Sequence, residues 1–295
     1  MKQFQCYNQV VTSKNIKKGV IELIKVALIG LGKTGKYIAN GILNQNNMEI
    51  VAAVCSPDSS KTGMNLGTLL KNRKIDIIIR TADELETIIL QTKPDVVVDF
   101  STPPATMKNI EILSKMKRNI VIGTTGFSAE AANTFQDMCD RYKNGIVYAP
   151  NITLGVNVMM VLSNIAASIL NNYDFQIVEM HYKNKKDSPS GTALKISDEI
   201  ESGLASSGSQ DKIVPINAIR AGGTIGKHAV LVVGEHDRIV ISHESFSRAV
   251  FAEGAIKAIN FIYNKAGYYE MKDVLNLQKI LWEYTHKNGQ FASER

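Results

Sequence analysis

The chain has few of the residues that staple, ligate or anchor a protein. It contains 3 cysteines, Cys6, Cys55 and Cys139, set far apart with no C-x-x-C spacing. That pattern suggests neither a disulfide framework nor a zinc site and fits a reducing cytoplasm. His228, His236 and His243 have no metal-ligand spacing either, so no metal is expected and all three are read as structural or exposed. No apolar run approaches the roughly 20 residues that span a bilayer, so no membrane partner is expected. The first 23 residues carry Lys2, Lys14, Lys17 and Lys18 and no acid before Glu22, yet lack the continuous apolar core of a secretory signal. They are read as an N-terminal extension. What remains is ordinary for a soluble globular protein, with 44% hydrophobic and 21% charged residues in a chain of 295. The net charge of +6 is spread along the chain without a nucleic-acid motif. Small anionic ligands account for it, and no nucleic-acid partner is expected.

The first organised stretch reads I-K-V-A-L-I from Ile24 to Ile29 and runs directly into Gly30-Leu-Gly32-Lys33-Thr34-Gly35, followed by a helical pattern to about Gln45. This is G-x-G-x-x-G between a strand and a helix, where the glycines permit a tight turn and let a pyrophosphate approach the helix N-terminus. The next strand, from Glu49 to Val54, ends on neutral Cys55-Ser56-Pro57. An NAD-preferring protein often places an acid there. Lys33 or Lys61 can neutralise a 2′-phosphate, which favours NADPH; NADH stays possible, and Asp58 is an alternative ribose ligand. Strand and helix then alternate: a strand from Lys74 to Arg80, a helix from Ala82 to Gln91, and strands at Asp95 to Phe100, Asn119 to Ile122 and Gly145 to Ala149. The pattern predicts an α/β fold, a Rossmann-type doubly wound parallel sheet with ligands at its strands' carboxyl ends. Ser101, Thr102, Gly123 and Thr125 stand at such ends, as turn residues or as a cofactor shelf.

After a Gly- and Asn-rich turn at Asn151 to Asn157 the pattern changes. A long apolar helix reaches Leu170 and is followed by strands at Phe175 to Met180 and Val214 to Arg220. A small polar loop spans Ser202 to Asp211, and a hairpin runs from Lys227 to Glu244. These predict an inserted α+β domain on an open, mostly antiparallel sheet. Both faces of its hairpin are apolar, which points to a homo-oligomer built through the sheet. The expected boundaries are 24–152 plus 246–295 for dinucleotide binding and 153–245 for substrate binding and oligomerisation. The stretch E-M-H-Y-K-N-K-K-D-S-P-S-G-T-A, from Glu179 to Ala193, lies in the inserted part. Here His181 ends a strand, Lys183, Lys185 and Lys186 follow, and Ser190 can cap a helix. A lone histidine or a lysine run is ordinarily structural or solvated. Together, an acid/base group, positive charge and free N–H groups at Gly191 and Thr192 suit an anionic small molecule.

Several segments in order resemble the 4-hydroxy-tetrahydrodipicolinate reductase (dihydrodipicolinate reductase) family. They are Val26 to Gly35, D-F-S-T-P from Asp99, V-I-G-T-T-G-F from Val121, A-P-N-I-T-L-G-V-N from Ala149, the Glu179 to Ala193 stretch, I-R-A-G-G from Ile219, and S-R-A-V-F-A-E-G-A from Ser247. The resemblance implies a homotetramer and hydride transfer from NADPH or NADH to an unsaturated heterocyclic dicarboxylate in diaminopimelate and lysine biosynthesis. It implies His181 as general acid and Lys185 as the substrate lysine, with Tyr182, Ser190, Gly191 and Thr192 around the substrate. Gly30, Gly32, Lys33, Thr34, Gly35, Phe100, Ser101, Gly123 and Thr125 would meet the cofactor, with Asn151 and Ile152 near the nicotinamide. The chain departs from the family pattern at Tyr182, where a second histidine is usual, at Asn184 and Ser188, and in a glycine loop one residue shorter. A reductase of another anionic cyclic imine or amino acid, or a non-catalytic nucleotide-binding regulator, are the alternatives.

Overall fold

Parallel strands covered on both faces need unbroken apolar runs, and the first half of the chain supplies them. The computed structural model describes residues 23–72, 74–209 and 212–287, so the expected N-terminal extension lies outside the described residues up to position 22. In chain order the first half runs β1 (Ile24–Ile29), α1 (Lys33–Leu43), β2 (Met48–Cys55), α2 (Leu66–Leu70), β3 (Ile79–Thr81), α3 (Leu85–Thr92), β4 (Val96–Asp99), α4 (Pro103–Lys115), β5 (Asn119–Ile122), α5 (Ala129–Tyr142) and β6 (Gly145–Tyr148). Every residue of β4 and β6 is buried. The second half continues with α6 (Leu154–Ile169), β7 (Asp174–His181), α7 (Gly191–Ser206), β8 (Ile216–Arg220), β9 (Gly226–Val233), β10 (Arg238–Ser245), α8 (Ala249–Ile262), β11 (Gly267–Glu270), α9 (Met271–Val274) and α10 (Leu277–Lys287).

Seven strands form one parallel sheet in the order β11-β6-β5-β4-β1-β2-β3. The chain direction across the sheet reverses between β1 and β4, which opens a crevice where Gly30 and Phe100 leave their strands. One face is packed by α1 and α8 through Ile38, Ile42, Ala255 and Ile259; the other is packed by α3, α4 and α5 through Ile88, Leu113 and Phe135. Small residues let α8 lie close, since a Cβ on Gly254 would sit 1.8 Å from the Ile152 carbonyl oxygen. The second sheet has the order β10-β9-β7-β8, antiparallel except for the parallel β7–β8 pair. Helices α6 and α7 cover one of its faces around Phe175, Ile177, Ile196, Ile200, Val230 and Val232.

Two local expectations need correction, and one strand was not foreseen. The strand expected from Lys74 to Arg80 is reduced to Ile79–Thr81, because the chain turns near Lys74 and joins the sheet only alongside Ala53 to Cys55. The polar segment from Ser202 is helical through Ser206, held by buried Leu204 and by Gly203 packed against the Asn164 backbone of α6. The tail adds β11 to the edge of the parallel sheet beside β6, a strand that apolar periodicity did not signal.

Candidate active site

Alternation along β7 puts Phe175, Ile177, Glu179 and His181 on the helix-covered face, so the row turns from apolar to ionisable as it reaches the strand's end. Glu179 is fully buried and His181 nearly so. The Glu179 carboxylate sits at the centre of the cluster. Its Oε2 lies 2.5 Å from His181 Nδ1, and Arg220 grips both oxygens, Nη1 to Oε2 at 2.8 Å and Nη2 to Oε1 at 2.7 Å. The Ser190 backbone N–H donates to Oε1 at 3.1 Å. Behind them His228 stacks edge-on against His181 with ring centroids 5.2 Å apart, and its Nε2 lies 3.2 Å from Ser190 Oγ.

Ser190 caps α7 as expected, its Oγ accepting from the Ala193 N–H at 3.2 Å. A Cβ on Gly191 would meet nothing within 4 Å, so the uncovered helix N-terminus faces open space. Thr192 Oγ1 donates to Asn151 Oδ1 at 2.6 Å, which ties this helix end to the segment after β6. Lys185 is paired with Asp187, its Nζ 2.7 Å from each carboxylate oxygen. Tyr182 is exposed beside the cluster.

Burial sets these groups' charge states against their neighbours. Burial works to raise the Glu179 carboxyl, but Arg220, His181 and the Ser190 N–H outweigh it and hold it below the ordinary range. His181 is pushed down by burial, with Lys185 and Arg220 adding to that; Glu179 pulls the other way without overcoming it. Burial and the neighbouring His181 drive His228 down to about 4. Glu179, His181 and His228 bring one ligand-type atom each within 4.8 Å of one another, a spacing that also suits a cation. Here the guanidinium of Arg220 supplies the positive charge.

The glycine turn forms the other half of the site. Gly30 has φ +92°, and a Cβ there would lie 2.4 Å from the Phe100 carbonyl oxygen; one on Gly35 would lie 1.9 Å from the Gly30 oxygen. Gly32 is the N-cap of α1 and cannot cap it with a side chain, and a Cβ on it would meet nothing within 4 Å. Lys33 and Thr34 open the helix. This leaves backbone N–H groups and space for a pyrophosphate, the fit that a dinucleotide requires. The Phe100 ring lies over Gly123, with ring atoms 2.0 to 2.4 Å from where a Cβ would be. Buried Asp99 holds the loop after β4, accepting from the Ser101 N–H at 2.8 Å, from Ser101 Oγ at 2.6 Å and from Asn109 at 2.9 Å. Thr125 is exposed at the end of β5, and Ile152 is buried behind α8's close approach.

The structure thus gathers His181, Lys185, Ser190, Gly191, Thr192 and Asn151 at one end of the second sheet, and Gly30 to Gly35 with Phe100, Ser101 and Gly123 at the crevice of the first. A cavity of about 170 Å³ beside Asn151, lined by Tyr148, Lys195, Glu199 and Glu270, does not include His181. Three members of the cluster had no role in the sequence reading. Glu179 could have been found from its two-residue spacing to His181. Arg220 and His228 are neighbours only through strand register, which pairs His181 with Arg220 and Glu179 with His228.

Residues 24–152 match the model for the N-terminus of dihydrodipicolinate reductase, and residues 155–275 match the model for its C-terminus. The chain belongs to the dihydrodipicolinate reductase family. Its relatives include the 4-hydroxy-tetrahydrodipicolinate reductases of Methanocaldococcus jannaschii, 36% identical over 88% of this chain and 99% of that protein, and of Methanococcus aeolicus, 34% identical over 87% and 100%. A dipicolinate-bound dihydrodipicolinate reductase from Paenisporosarcina sp. TG-14 superposes with a TM-score of 0.69 at 26% identity, covering 84% of this chain and 97% of that one. An amine dehydrogenase from Mycobacterium smegmatis shares the fold alone, at 12% identity and a TM-score of 0.57 over 83% and 94% of the two chains. Membership of this reductase family carries with it a nicotinamide cofactor.

Proposed function

We propose that this chain reduces 4-hydroxy-tetrahydrodipicolinate to tetrahydrodipicolinate, with NADPH preferred over NADH, as a step of diaminopimelate and lysine biosynthesis. The observation that carries this reading is a strand-end histidine braced by a buried carboxylate next to an uncovered helix N-terminus, in a chain matched almost end to end by the reductase family. The nicotinamide supplies a hydride when bound. Gly30 to Gly35, Phe100, Ser101, Gly123 and Thr125 would hold and orient that cofactor, and Asn151 and Ile152 would meet its nicotinamide end. The N–H groups of Gly191 and Thr192 take a substrate carboxylate, and Ser190 fixes the helix end that presents them. His181 donates the proton that accompanies hydride addition. Lys185 must exchange its Asp187 partner for the substrate, adding positive charge to the dianion and assisting the loss of water.

The neutral end of β2, with Lys33 in the nucleotide turn and Lys61 in the segment that follows β2, supports the NADPH preference. The bare face of the second sheet supports a homotetramer, and the buried free thiols of Cys55 and Cys139 suit the cytoplasm. No helix among the described residues is long and apolar enough to cross a membrane. The test is oxidation of NADPH and NADH by the purified protein, with substrate generated in place from pyruvate and aspartate semialdehyde by the preceding synthase. Synthase-dependent oxidation, faster with NADPH, is the expected result. Cofactor binding without oxidation would reject the substrate assignment. His181→Ala should lower kcat about 100- to 10,000-fold with little change in cofactor affinity.

A further inference from the structure

An ionised carboxylate only accepts hydrogen bonds. Glu179, gripped by Arg220 and the Ser190 N–H, is ionised, so the proton in its 2.5 Å contact with His181 belongs to the imidazole Nδ1. The other ring nitrogen, Nε2, is flanked by Gly226, where even a Cβ would approach to 3.1 Å. We propose that Glu179 is the positioning residue of this site: it commits Nδ1–H of His181 to itself and leaves Nε2, beside the bare backbone of Gly226, as the nitrogen that picks up and delivers the proton. Arg220 acts one step further back by keeping Glu179 charged and fixed in orientation.

The surrounding groups agree with this division. The charged and titratable groups that face His181 are Glu179 on its own strand, Arg220 on β8, His228 on β9 and Lys185 on the following loop, with His243 paired to His228 from β10. Glu179 alone among them stabilises the imidazolium. Ser190, from α7, is uncharged and gives its backbone N–H to Glu179, so the helix end that receives the substrate carboxylate and the histidine that protonates the substrate are held by one carboxylate. Register on the sheet puts the groups in place: His181 lies opposite Arg220, and Glu179 opposite His228.

The test is a nitrogen-15 NMR titration of the imidazoles in the full chain, with His181 assigned by comparison with His181→Asn. Neutral His181 of the wild type should carry its proton on Nδ1. Glu179→Gln should move the His181 titration to lower pH and reduce kcat/KM about 100-fold, while cofactor affinity holds. A neutral proton found on Nε2, or the same titration in both proteins, would overturn the proposal. Because Glu179→Gln leaves the Arg220 charge unpaired, the tautomer of His181 in the wild-type protein decides the proposal by itself if the variant does not fold. The role of His181 as proton donor rests on the proposed function. Wild-type protein with the Nδ1–H form and the Glu179-dependent titration, yet no synthase-dependent turnover, would reject that function and leave the pairing intact.

Discussion

A proton donor whose affinity for its proton is lowered needs its ligand to restore it. In the free protein, burial holds His181 below the ordinary imidazole range. On the proposed function, a dicarboxylate held at Gly191 and Thr192 would add negative charge beside it, which favours the imidazolium. Binding should therefore take up a proton, and dipicolinate should bind more tightly at about pH 6 than at about pH 8. Calorimetry in two buffers of different ionisation enthalpy checks this; a binding enthalpy independent of the buffer would refute it. His228 bears on stability instead. The unfolded chain protonates this residue near its ordinary 6.5, the folded chain only at about 4. Stability is therefore lost as the pH falls between those values, by up to about 3 kcal/mol from this one group. In urea unfolding, the stability difference between wild type and His228→Asn should shrink steadily across that window. At this scale His181, Lys185, Ser190, Gly191 and Thr192 were legible because they share one stretch of fifteen residues. Arg220 and His228 were not, because cross-strand register brings them in from 39 and 47 positions further along the chain than His181.

The nucleotide-binding elements depend on close backbone approaches that side chains would block. Gly123 is one such position, because a methyl group there would overlap the Phe100 ring. Gly123→Ala should swing that ring toward the crevice and weaken NADPH binding by about 1 to 3 kcal/mol, while His181 keeps its titration. Cofactor fluorescence and the imidazole spectrum check the two halves separately. Ser190→Ala should cost about 1 kcal/mol of stability through the lost cap and raise the KM for substrate more than that for cofactor. Elements with apolar patterns, such as β1, β4 and α6, were readable in advance. β11 was not: G-Y-Y-E is short, half-buried and at a sheet edge, so it carries neither an apolar run nor clean alternation. The extension of α7 through Ser202 to Ser206 contradicts local polarity because packing against α6 overrides propensity there.

At the scale of the molecule, the second sheet has helices on one face only. The other presents Val178, Met180, Ile219, Ala229, Leu231, Val233 and Val240, all half-buried or exposed in the single chain. We propose that this face is where copies of the chain meet, and Leu231→Glu with Val240→Glu should convert the proposed tetramer to smaller species. Light scattering after size exclusion measures this, and an unchanged mass would reject the sheet as the interface. By itself, the sequence determined the alternation that makes a doubly wound sheet, the strand-turn-helix that receives a nucleotide, and the stretch holding the histidine, because these are local patterns of apolar period, glycine and cap. The charge network around that histidine was decided only by the tertiary structure. Burial sets the ionisation of Glu179, His181 and His228, and burial arises only when β7, β8, β9 and α7 close around them.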